Sequence, residues 1–140
     1  PVDGVEDARR VQETCGDLVA FIRSLPFVYE TEHYIFVHAG LDLTLPDWHE
    51  TTDYQKVWIR QPFHEASNQT GKTIVFGHTP VHYLLDQKIG TKELWVTEDG
   101  KIGMDGGAVY GGVLHGILFD ESGMKADVAL LNEGFAAIDD

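Results

Sequence analysis

The chain has 140 residues, of which 23 are acidic and 10 basic, giving a formal charge of −13 and an isoelectric point near 4.7. With 43% hydrophobic residues it is long enough for one packed domain, and its negative charge repels a nucleic-acid backbone, so no nucleic-acid partner is expected. No apolar run approaches the roughly 18 residues of a membrane span, so no membrane partner is expected. Cys15 is the single cysteine, which excludes an intrachain disulfide and makes the reducing cytoplasm the expected setting.

In chain order, Glu6 to Ser24 has the spacing of an amphipathic helix. Val11, Cys15, Leu18, Val19, Ile22 and Leu25 share one face, Asp3, Glu6 and Asp7 favour the positive end, and Pro26 stops it. Cys15 on that stripe is expected to be a small buried thiol. Phe27–Thr31 and Tyr34–Val37 read as a hairpin with His33 in its turn. Leu41 to Thr52 reads as a loop over whatever His38 faces, Tyr54–Ile59 as a short helix before Arg60, and 61–72 as polar and exposed. Thr73–Phe76 is a buried strand. Glu93–Thr97 and Lys101–Met104 flank an Asp99-Gly100 turn, and Gly112–Phe119 and Ala126–Leu131 flank Ser122-Gly123, so the second half reads as mainly antiparallel sheet. The glycine-rich run from Asp105 to Gly112 suits a tight turn or close backbone approach. The tail from Asn132 to Asp140 is expected to be loosely held.

Two strands end in a histidine. Tyr34-Ile35-Phe36-Val37 runs into His38-Ala39-Gly40, and Thr73-Ile74-Val75-Phe76 into Gly77-His78-Thr79-Pro80. Ligands of α/β sheets gather at the carboxyl ends of strands, so these imidazoles are candidates to share a metal ion, and ordinary strand-end histidines are the open alternative. His82 is four residues from His78, but Pro80 between them forbids the helical zinc motif, and His82 reads as structural. His49 and His64 read as ordinary loop residues, and His115 as a strand residue facing solvent.

Four short motifs occur in order: His38-Ala39-Gly40-Leu41, Val57-Trp58-Ile59-Arg60, Phe76-Gly77-His78-Thr79-Pro80 and Met104-Asp105-Gly106-Gly107-Ala108. Together they resemble the C-terminal half of bacterial serine/threonine phosphatases of the phosphoprotein phosphatase family, among the calcineurin-like metallophosphoesterases. The resemblance implies an α/β fold, a β-sandwich flanked by helices. It implies that His38 and His78 bind one ion of a centre of two divalent ions, with Mn expected and Fe or Zn as alternatives. It also implies that Arg60 holds the substrate phosphate and that Tyr110 borders it. Asp105 is expected either to orient a ligand from behind or to hold its own glycine turn.

The family's GDxHG, GDxxDRG and GNHE signatures are absent from this sequence. The chain is therefore expected to be half an active site, whose partners are its own N-terminal half and a phosphoprotein or small phosphoester substrate. Hydrolysis of a dinucleoside polyphosphate or another small phosphoester, and a non-catalytic binding or assembly module, are the alternatives.

Overall fold

The computed structural model describes residues 4–131. The tail from Asn132 to Asp140, expected to be loosely held, lies outside the described residues. The chain is mixed α and β, as expected.

Helix α1 spans Gly4–Ser24 and is interrupted at Cys15, where φ is −130° and ψ 26°. Its apolar stripe finds no cover among the described residues: no side chain of α1 is buried, and Val11, Leu18, Phe21 and Ile22 are each more than half exposed. Cys15 is consequently exposed, not buried as its place on the stripe suggested. Periodicity selects which residues share a face, but burial needs a second surface.

Strands β1 (Val28–Glu30) and β2 (Tyr34–Val37) form the expected antiparallel hairpin. Beyond β2 the chain crosses a 3-10 turn at Trp48–Glu50 to helix α2 (Asp53–Trp58), which is started by a reciprocal capping box between Thr52 and Gln55. Strand β3 (Thr73–Phe76) lies parallel to β2, and β5 (Lys101–Gly103) lies parallel to β3. Strand β4 (Trp95–Val96) is antiparallel to β5, completing a sheet in the order β1-β2-β3-β5-β4. A one-turn helix α3 (Val81–Leu84) follows β3, with Pro80 as its N-cap.

Strands β6 (Asp105–Gly106), β7 (Val113–Asp120) and β8 (Gly123–Leu131) make a second, antiparallel sheet. The second half is thus antiparallel except where β5 joins β3.

The alternation of side chains along β2 and β3 gives the first sheet two buried faces. Ile35, Val37, Ile74 and Phe76 point one way and pack with Leu41, Ile59 and Phe63. Tyr34 and Val75 point the other way, with Ile102, and meet Ile117 and Phe119 of β7. The Tyr34 and Phe119 rings are 4.9 Å apart, and the Tyr34 hydroxyl donates to the Asp120 carbonyl at 2.9 Å. Strands covered on both faces carry unbroken apolar runs, which is why β2 and β3 were legible.

Two expectations fail here. Phe63 is fully buried although 61–72 read as polar and exposed, because its ring fills the space beside Gly40, where a Cβ would come within 2.3 Å of it. His115 does not face solvent. It lies on the inner side of β7, its side chain fully buried, with Nδ1 2.9 Å from an Asp127 oxygen. A carboxylate one strand over makes that inward position tolerable.

Candidate metal and phosphate site

His38 and His78 are brought together by the register of β2 and β3. Val37 pairs with Phe76, and one step further the Gly77 N–H donates to the His38 carbonyl at 2.9 Å. The two rings stand with centroids 5.1 Å apart. His38 is exposed and His78 half-buried.

The backbone at His78 is unusual. Its φ is +65°, in the region that favours glycine, and the Thr79 N–H closes a tight turn around it by donating to the Gly77 carbonyl at 2.7 Å. A non-glycine residue held this way costs on the order of 1–3 kcal/mol, and such strain clusters at functional sites. The His78 Nε2 is buried with no hydrogen-bond partner, as are Thr79 Oγ1 and His82 Nδ1 nearby in the chain. Buried polar atoms normally find partners, and His64 Nε2 and His115 Nε2 share this lack, so what distinguishes His78 and His82 is their place on one cleft with Arg60.

Burial, then the charges of Arg60 and His38, holds His78 below the ordinary histidine value, against Asp105 and a hydrogen bond to the Trp58 carbonyl. A lowered pKa favours the neutral ring, and its Nε2 has no hydrogen-bond partner. A neutral imidazole with a free lone pair is the form that ligates metal. Among the described residues, however, no group of three or more His, Cys, Asp or Glu side chains converges to hold an ion. The residues present therefore fit one side of a metal site.

Arg60 arrives from the other direction. It follows α2 past Ile59, the C-cap, and the Lys56 carbonyl accepts from the Ala39 N–H at 2.9 Å, tying that helix end to the turn after His38. The Trp58 ring stands edge-on to His78 at 5.3 Å. Asp105 opens β6, and its Oδ1 accepts from the Gly107 N–H at 2.9 Å, so it does hold its own glycine turn. Gly106 is needed there, since a Cβ would lie 2.2 Å from the Val113 carbonyl oxygen. Tyr110 closes the 3-10 turn Ala108–Tyr110 and is exposed.

His38, His78, Arg60, Asp105 and Tyr110 line one cleft of about 410 Å³ together with His82, Tyr83 and Ile89. His82 reads as structural in the sequence, yet it lines the cleft. Pro80 does forbid a helix through 78–82, but as N-cap of α3 it starts a new turn that returns His82 to the cleft. A cleft of equal volume at the opposite end of β2 is lined by Glu32, His33, Asp120 and Glu121 and no lysine or arginine. Size does not distinguish the two; the arginine and paired imidazoles do. Compared with family models and with curated proteins, the sequence matches none.

His64 shares the electrostatics of this end. Burial, then the charges of Lys101, Arg60 and His78, holds it below the ordinary value of 6.5. For His64 and His78 the unfolded chain takes up a proton near 6.5 and the folded chain only at lower pH. Their effect is therefore full stability above about pH 6.5 and a loss as pH falls towards the folded values. His49, raised by Asp47 and Glu30, acts oppositely from an exposed position. The midpoint of urea unfolding is expected to fall between about pH 7.5 and 5.5, and to fall less in His64→Gln. A flat midpoint, or an unaltered fall in the variant, would contradict this.

Proposed function

We propose that this chain carries His38, His78 and Arg60 of a metal-dependent phosphoester hydrolase, acting on phosphoserine and phosphothreonine in proteins. The resemblance to calcineurin-like phosphatases supports it, as do the two sheets packed face to face. The observation that carries it is the pairing of His38 with a strained His78 whose Nε2 is free, in one cleft with Arg60.

His38 and His78 would hold a divalent ion, with Mn expected. Bound there, such an ion supplies Lewis acidity to the phosphoryl oxygens and to the attacking water. The chain's own residues do the rest. Lowering the His78 pKa keeps a lone pair available near neutral pH, and the Trp58 ring packs edge-on against the imidazole. Arg60 presents a planar guanidinium that can bind two phosphate oxygens at once, which an ammonium cannot. Asp105 fixes the glycine turn on which Tyr110 sits. A second segment, carrying the carboxylates that two histidines lack, completes the site; in the resembled family that segment is the N-terminal half.

Because Arg60 grips phosphate in both ground and transition states, Arg60→Ala in the assembled protein should raise KM and lower turnover, about ten- to a hundredfold in kcat/KM, with metal content unchanged. Wild-type kinetics would make Arg60 a surface cation only. Exposed Tyr83 and Tyr110 on the cleft favour a second reading, a dinucleoside polyphosphate whose bases stack there. Turnover of a phosphopeptide beside diadenosine tetraphosphate separates the two.

A further inference from the structure

Lys101, on β5, has 2% of its surface exposed, and its ion pair with Asp99 is long at 3.8 Å. A buried ammonium is costly unless each N–H finds an acceptor. Here Nζ donates to the carbonyls of Phe63 at 3.3 Å, His64 at 3.1 Å and Ala66 at 2.6 Å. Three donors meet three carbonyls of one backbone segment, so the ammonium and the segment fix each other.

That segment begins at Arg60. The His64 N–H donates to the Arg60 carbonyl at 3.1 Å, and the Glu65 and Ala66 N–H groups donate to the Pro62 carbonyl. The same segment supplies the Phe63 ring that fills the space beside Gly40, two residues after His38. Lys101 itself pairs with Ile74 on β3, the strand that delivers His78.

We propose that Lys101 is a positioning residue for the phosphate clamp: by binding three carbonyls it sets the Arg60 backbone against the sheet that carries His38 and His78. The inference rests on the reading of Arg60 as a phosphate ligand. A lysine that merely filled a loop would lower stability without coupling to Arg60.

The test is a double-mutant cycle on inorganic phosphate affinity in the assembled, Mn²⁺-loaded protein. Lys101→Met is expected to bind phosphate about tenfold or more weakly, within the hundredfold that a misplacement of about 1 Å can cost. Added to Arg60→Ala it should weaken binding no more than about twofold further, since the interaction it positions is already gone. Ile102→Ala, on the same strand and facing the second sheet, is the control for lost stability and should bind phosphate normally. Should Lys101→Met not fold, Lys101→Arg is the second variant. Its planar fork differs in shape and reach from an ammonium fitted to those three carbonyls, so it should bind severalfold more weakly, again without effect in the Arg60→Ala background. If Arg60→Ala binds phosphate normally, the clamp reading and this inference fall together. If Arg60→Ala binds weakly but the Lys101 variants bind normally, or their losses multiply with its loss, only this inference is overturned.

Discussion

His78→Ala is expected to lower turnover of the assembled protein by about a thousandfold or more and to release one divalent ion per chain, because it removes one of the two paired imidazoles of the cleft. The backbone supplies a second, independent signature. At φ +65° alanine is strained and glycine is not. His78→Gly should therefore be more stable than His78→Ala by about 1 kcal/mol, the reverse of the usual order, while both are equally inactive. Metal analysis, steady-state kinetics and urea unfolding on the pair check this. Retention of metal and turnover in both variants would remove His78 from the site. Equal stability would mean that the turn is not the source of strain.

The chain without the completing segment is expected to be catalytically silent and to self-associate. Two imidazoles are too few ligands to assemble a centre of two ions. The apolar surfaces left open are also large. On the outer side of β7 and β8, Leu114 faces Leu130 and Gly116 faces Val128, and these leucines and the valine are each more than half exposed, as is Leu118 further along the strand. With the stripe on α1, this is more apolar surface than a monomer normally leaves uncovered, and each such side chain gains about 1.5–3 kcal/mol on full burial. Solution mass should show dimers or larger species. Hydrolysis of p-nitrophenyl phosphate with Mn²⁺ should be absent until a segment bearing the GDxHG and GNHE signatures is added, and should then rise by orders of magnitude. A monomer that hydrolyses the ester alone would overturn the division of the site. Assembly with that segment without hydrolysis would favour the non-catalytic module.

Elements with strong local signals are legible from the residues alone. The apolar runs of β2 and β3 and the Asp99-Gly100 and Ser122-Gly123 turns each follow from a few neighbouring residues, and each appears where expected. Two strand-end histidines were legible for the same reason. What those elements meet follows only from the folded chain. The parallel register of β2 and β3 sets the 5.1 Å approach of the imidazoles. The turn at Pro80 brings His82 into the cleft. Phe63, His115 and Lys101 are buried against the polarity of their local sequence because distant groups (Gly40, Asp127 and the carbonyls of Phe63, His64 and Ala66) give each of them space or a hydrogen-bond partner. Cys15 is the converse case, a residue patterned for burial and left exposed. Hydrophobic spacing is a property of neighbours in the chain, whereas burial is a property of neighbours in space.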